Sequence, residues 1–187
     1  MEILGYLLLC LIWSTTWQAI RICLTGYPPM YGASLRFLIA TVLLLIAVRV
    51  RKLPLALPGG RSQHLALLLA GIFNGLGYAC IYVAELKISG GTTAIICASS
   101  PLFTLIAARL FGLEQLLLRR IAGMSIGMVG IGALFWEGQT LGHDQVQAML
   151  FALAAAALMW PVYGALLKRY AHALPPLVST LYFLLYT

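Results

Sequence analysis

A cluster of side chains suited to binding a solute lies in an apolar stretch near the N-terminus. Hydroxyl and amide groups can hold a solute by hydrogen bonds, and indole rings can supply apolar walls. The pattern favours non-covalent binding, although the hydroxyls could instead bond to carbonyls of their own helix at an ordinary helix contact. Within the cluster, the candidates for the wall of a binding cavity are Trp13, Ser14, Thr16, Trp17 and Gln18.

A second polar stripe is predicted further along the chain. Asn74, Tyr78 and Tyr82 recur every four residues and so share one face of a helix. An unpaired amide in the middle of a membrane span is costly, so Asn74 and Tyr78 are predicted to line a cavity. Tyr82 is equally well explained as an aromatic residue at the membrane interface. Gly71 and Gly75 form a GxxxG pair that permits close contact between helices.

A third candidate surrounds a proline inside an apolar run. Pro101 lacks a backbone donor and frees a carbonyl one turn earlier, around Cys97, so it is predicted to kink the helix. Broken helices often line binding sites in transporters, which makes Ser99 and Ser100 candidate cavity residues. The alternative is a purely structural kink whose freed carbonyl bonds to one of these two serines.

The elements that position these residues follow from composition. Hydrophobic residues make up 62% of the 187-residue chain and charged residues only 9%, which is far from the soluble norm. Continuous apolar runs of about 20 residues indicate membrane-spanning helices, whereas barrel strands would alternate. The predicted fold is an all-α membrane bundle with six complete spans and a partial seventh, at residues 3–22, 31–48, 65–84, 92–113, 116–136, 146–167 and 174–187.

The basic residues predict orientation rather than nucleic-acid binding, because they form no patch with interleaved aromatic residues. Eight Lys and Arg residues lie in the even-numbered gaps between spans and two in the odd-numbered gaps. Positive charge marks the cytoplasmic side, so the N-terminus is predicted to be cytoplasmic in an inner membrane. Arg36, inside the second span, either meets a substrate carboxylate or extends to the interface.

Metal, cofactor and redox chemistry are not expected. The three histidines lie scattered in connectors, and the four cysteines lie in or beside spans without a CxxC pair. No central acid is predicted for proton coupling in this part of the chain, because Glu85 and Glu137 fall at outer helix ends. Without a constellation of acids, histidines or metal ligands at one depth, an enzyme is disfavoured.

The chain also contains an internal repeat. A shift of 147 residues aligns Trp13 with Trp160, Arg21 with Lys168 and one Pro-Pro pair with another. Residues 1–137 are predicted to form a first five-helix repeat and residues 146–187 the start of a second. Because five spans precede the restart, the second copy is inverted, and two complete copies would give ten spans in roughly 290 residues. The short seventh segment therefore predicts a fragment of a longer polypeptide.

Several motifs, in order along the chain, resemble the drug/metabolite transporter superfamily, in particular its EamA-type members. Ser14 stands where that family's opening motif has Gly. The resemblance implies a ten-helix fold with a central cavity, and usually export of amino acids or other small metabolites. Trp160 and Tyr163 look like the start of the family's second repeat and complete the candidate cavity residues. The motifs are Ile12-Trp13-Ser14, Ser34-Leu35-Arg36-Phe37, Ser100-Pro101-Leu102-Phe103, Glu114 with Gly123 and Gly130, and Trp160 with Tyr163.

The leading functional hypothesis is a secondary transporter that exports small metabolites by alternating access, without covalent chemistry or a cofactor. Its expected partners are the lipid bilayer and a small-molecule substrate, and the oligomeric state stays open. A non-transporting scaffold or assembly subunit is the main alternative. A membrane-embedded enzyme is the lesser one.

Overall fold

The computed structural model describes residues 2–57, 59–114, 118–134 and 142–187, and within them every regular element is helical. This confirms the predicted all-α class. A π-helical turn (Ala155–Met159) joins α7 to α8. The α-helices are α1 (Glu2–Leu24), α2 (Pro29–Val50), α3 (Gly60–Ala84), α4 (Gly90–Cys97), α5 (Ser100–Leu110), α6 (Leu118–Leu134), α7 (His143–Ala154), α8 (Trp160–Tyr170) and α9 (Pro176–Leu185).

Five helical stretches among the described residues are long and apolar enough to cross a membrane. The shorter apolar helix α9 lies in the seventh predicted segment, and α6 covers the described part of the fifth. The molecule is a multi-pass helical membrane bundle. Residue 137, the predicted end of the first repeat, lies outside the described residues. The five stretches are Ile3–Leu24, Pro29–Val50, Gly60–Ala84, Gly90–Leu110 and His143–Tyr170.

Local sequence explains where several helices begin. Pro29 and Pro176 lie at the start of α2 and α9, where a missing N–H leaves no bond unmade. The Ser89 hydroxyl accepts a hydrogen bond from the Thr92 backbone N–H at 3.1 Å and caps α4. Gly112 ends the turn after α5 with φ of 68°, a left-handed conformation that favours glycine.

Helix α3 is the centre of the bundle and packs against α2, α7, α8 and α9. Its GxxxG pair makes the close contact that the sequence predicts. A Cβ built on Gly71 would lie 2.6 Å from the Tyr186 Cβ and 2.8 Å from the Phe183 carbonyl oxygen. A Cβ on Gly75 would lie 2.7 Å from the Thr187 carbonyl oxygen. Only a hydrogen in place of a side chain lets α9 approach this closely.

The glycines of α6 behave differently. Their spacing predicts tight packing, but a Cβ at Gly123, Gly127 or Gly130 would meet no described atom within 4 Å. That prediction is wrong for contacts among the described residues. Glycine spacing gives a helix the capacity for close approach, but the contact also requires a neighbour on that face. Helix α3 has such a neighbour, and this face of α6 has none among the described residues.

We expect Gly71→Ala to destabilise the protein, because the new methyl group would collide with α9. Overpacking of this kind costs about 1–3 kcal/mol. The measurement is the thermal unfolding midpoint in detergent. Gly127→Ala is the matched control, since its methyl group enters open space and the better helix propensity of Ala adds up to about 1 kcal/mol. Equal midpoints for the two variants would contradict the α3–α9 contact.

Candidate functional site

A cavity of about 1000 Å³ lies between α1, α3, α4, α5, α6 and α8. Seven of the eleven predicted cavity residues line it, together with the predicted kink residue Pro101. They come from four separate regions of the sequence, which the bundle brings together around one cavity. The seven are Trp13, Trp17, Asn74, Tyr78, Ser100, Trp160 and Tyr163.

The remaining four predicted residues lie outside the cavity lining. The Ser14 hydroxyl donates to the Leu11 carbonyl at 3.0 Å, and the Thr16 hydroxyl donates to the Ile12 carbonyl at 2.7 Å. These bonds match the alternative in which hydroxyls serve their own helix. The other two are Gln18, which is exposed, and Ser99, which is buried.

The predicted interruption at Pro101 lies at the cavity. Helix α4 ends at Cys97 and α5 begins at Ser100, so the fourth span is broken between them. The Ser99 hydroxyl donates to the Ile96 carbonyl at 2.6 Å, and the Ser99 backbone N–H donates to the same oxygen at 3.1 Å, so both groups stay bonded to the last turn of α4. Ser99 therefore supports the break, while Ser100 and Pro101 face the cavity.

A second interruption, in the sixth span, is one that sequence reasoning missed. The Trp160 N–H donates to the Ala155 carbonyl, five residues back, which widens the helix into a π turn. Pro161 follows, so the normal bond to the residue four positions earlier cannot form there. This proline inside an apolar run was the available signal. Helix α5 packs against the π turn and α8, so the two interruptions meet at the cavity.

Aromatic rings form one wall of the cavity. The Tyr78 and Trp160 ring centroids are 5.5 Å apart, and Phe37 packs edge-on against Tyr78 at 5.0 Å. The Arg36 guanidinium lies 4.8 Å from the centre of the Tyr78 ring, within the range of a cation–π contact. Arg36 is outside the lining, and its guanidinium also lies 3.5 Å from the Tyr78 hydroxyl oxygen.

Polar groups are sparse in the lining. The buried Asn74 amide donates to the Thr187 hydroxyl at 3.4 Å, which joins α3 to the residue that follows α9 and its last turn. Ser100 and Thr104 add two hydroxyls from α5. Thr104 is a lining residue that the sequence analysis did not select. Its position one helical turn after Ser100, on the same face, was the signal that could have found it.

One end of the cavity carries charge. Glu114 forms ion pairs with Lys168 and, at 3.4 Å, with Arg120, and Arg119 also lines this end. The hydrogen bond and positive charge of Lys168 hold the pKa of Glu114 below its usual range. The carboxylate therefore stays ionised, and the pair intact, down to pH values below the ordinary range for a glutamate. Glu114 precedes α6 and Lys168 lies on α8, so the pair links the two predicted repeats.

No group of three or more His, Cys, Asp or Glu side chains within residues 2–57, 59–114, 118–134 and 142–187 could hold a metal ion. All four cysteines are free thiols.

Comparison with known proteins supplies the family context. Residues 1–136 match the model of the EamA-like transporter family. The chain is 34% identical over 160 residues to a protein of Escherichia coli K12 named uncharacterized inner membrane transporter YedA, covering 84% of this chain and 51% of that protein. It is 32% identical over 165 residues to the protein PagO of Salmonella typhimurium, covering 88% of this chain and 54% of PagO.

A third relative has a more specific name. A protein of Streptantibioticus cattleyicolor named probable terminal-alkyne amino-acid exporter is 29% identical over 165 residues, covering 84% of this chain and 53% of that relative. The chain thus spans about half the length of the curated relatives it matches. No solved structure matches it.

The geometry predicts which positions on α5 reach the cavity. In a variant without the four native cysteines, Thr104→Cys is expected to react with a membrane-impermeant thiol reagent added from the side that carries Lys168, because Thr104 lines the cavity. Ile106→Cys is the control, since Ile106 is exposed on the same helix but outside the lining. Labelling is measured by mass shift in oriented vesicles. Equal labelling of both positions, or of neither, would argue against the cavity.

Proposed function

Since the chain belongs to the EamA-like transporter family, we propose that its cavity holds a small solute during secondary transport across an inner membrane. The observation that carries the proposal is the cavity itself. It is large enough for a metabolite, mostly apolar and aromatic, and furnished with a few polar groups, which is the usual character of small-molecule sites. The family and the names of the relatives point to transporters rather than enzymes.

We propose an amphipathic metabolite, with amino acids as the first class to test, as the exported substrate. The indoles of Trp13 and Trp160 suit an apolar side chain. The Asn74 amide and the hydroxyls of Ser100 and Thr104 suit polar groups on the solute. One relative is named as an amino-acid exporter, which supports the same choice.

Alternating access in this proposal uses the two helix interruptions as the points of movement. At a break, fewer backbone hydrogen bonds must change when a helix bends, so the bend costs less there than in a regular helix. Glu114 and Lys168 form an ion pair and both line the charged end of the cavity, which this proposal takes as its mouth. In the predicted topology this mouth is cytoplasmic, and the pair would form and separate as the inner end closes and opens.

The experiment uses the protein expressed from its complete reading frame and reconstituted into liposomes. We expect counterflow of a radiolabelled amino acid, measured as uptake into vesicles preloaded with unlabelled solute. The result that would refute the proposal is an absence of flux across a broad panel of amino acids and other small metabolites by a correctly assembled protein.

We expect Trp13→Ala to raise the KM for transport roughly three- to tenfold, because one aromatic wall of the cavity is lost. Trp13→Phe, which retains an aromatic ring, should have a KM between those of Trp13→Ala and the wild type. Tyr6→Ala is the matched control, since Tyr6 is an exposed aromatic residue on α1 outside the lining. An unchanged KM for Trp13→Ala would remove α1 from the proposed site.

A further inference from the structure

Glu85, immediately after α3, is a buried carboxylate. Its residue exposure is 2%, and neither side-chain oxygen has a hydrogen-bond partner among the residues that the structure describes. From the sequence, this residue is expected at an outer helix end, where a solvated carboxylate would be ordinary. An isolated carboxylate out of water is costly in its ionised form, so its burial requires an explanation.

The surrounding groups do not neutralise this carboxylate by direct bonding. Arg21 on α1 is adjacent, but its guanidinium donates to the backbone carbonyls of Ile88 at 2.8 Å and Glu85 at 3.2 Å. The thiol of Cys97 on α4 is close enough to interact electrostatically with the Glu85 carboxylate, and Cys97 lines the cavity. Two other charges of the described residues at this end, on Lys87 of the connector and Asp144 of α7, pair with each other in solvent at 3.1 Å.

Burial determines the proton affinity of this group. It raises the pKa of Glu85 from the ordinary 4.5 to about 7, and the charge of Arg21 only partly opposes this. We call the form in which Glu85 is buried the closed form. In an open form, in which the helices around Glu85 separate and water reaches its side chain, the pKa of Glu85 would return towards the ordinary value. Between these two pH values the closed form therefore binds a proton that the open form does not. The preference for the closed form is greatest at low pH and declines as pH rises through about 7.

We propose that Glu85 is a proton-binding site whose occupancy closes the outer end of the cavity. The carboxylate lies at the end of α3, beside Arg21 of α1 and Cys97 of α4, and α1 and α4 pack against each other. Separating α1 and α4 from this end of α3 would admit water to the carboxylate. Protonation then favours contact between the helices, and loss of the proton favours their separation and a direct pairing of Glu85 with Arg21. This inference rests on the proposed alternating access, and it adds the proton as a ligand of the outer end.

The test measures access to the cavity from the outer side, in the complete protein and independently of transport. Ala94, one turn before Cys97 on α4, lines the cavity and serves as the reporter, as Ala94→Cys in a variant without the native cysteines. Labelling by an impermeant thiol reagent is measured at pH 5.5, 7 and 8.5, and each rate with Glu85 is divided by the rate with Glu85→Gln. This ratio cancels the intrinsic effect of pH on the reporter thiol.

We expect the ratio to rise at least tenfold between pH 5.5 and pH 8.5, because the Glu85 carboxyl group loses its proton over this range while Gln imitates the protonated side chain at every pH. Glu85→Asp should retain the pH dependence, since it retains a carboxyl group. Asp144→Asn is the control, an exposed acid at the same end, and should leave the profile unchanged.

A flat ratio, or loss of the pH dependence in Asp144→Asn, would overturn the inference. Failure of Glu85→Gln to assemble would do so as well, because a neutral isostere should stabilise the closed form. The readout also separates the two proposals. A pH-dependent ratio without solute flux would support the proton site and contradict the transport proposal. Solute flux with a flat ratio would support transport and contradict the proton site.

Discussion

The bilayer imposes the requirement on which the whole structure depends, that backbone polar groups in hydrocarbon bond within the protein. Among the described residues, the spans meet this requirement with regular helix except at two places, the break between α4 and α5 and the π turn before α8. At the first, the hydroxyl and the backbone N–H of Ser99 both donate to the Ile96 carbonyl, and at the second the Trp160 N–H reaches back five residues. The two interruptions pack against each other, and residues beside both of them line the cavity. The position of the candidate site thus follows from where the backbone departs from regular helix.

Much of the fold could be predicted from sequence because the relevant signals are local. Apolar run length fixes the spans, and Gly71 and Gly75 already show which face of α3 admits a close neighbour. Where successive polar residues point all around a helix, tertiary contacts and not local sequence determine which of them faces the cavity. The sequence could not decide which members of the first cluster face the cavity, and Ser14 and Thr16 bond to their own helix. The α6 glycines show the same limit, since a spacing motif does not identify a partner.

The two carboxyl groups at opposite ends of the bundle, Glu114 and Glu85, have opposite protonation preferences. Around Glu114, a solvated network with Lys168 and Arg120 keeps a carboxylate ionised. Around Glu85, burial without a bonded partner among the described residues favours the protonated form. Sequence position places both acids just beyond helix ends, so the difference arises from tertiary packing. It is this packing around the end of α3 that removes water from Glu85, and no local pattern predicts it.

The contact between α3 and α9 has a consequence for biogenesis. Asn74 bonds to Thr187, 113 residues later in the chain, and the groove at Gly71 is filled by residues of the same late segment. During synthesis, α3 therefore enters the membrane long before its neighbour has been translated. Until then an amide and a glycine-lined groove face lipid or the insertion machinery, so the nascent chain must tolerate an incomplete helix interface. A membrane chaperone that shields polar spans during insertion would act at this stage of assembly.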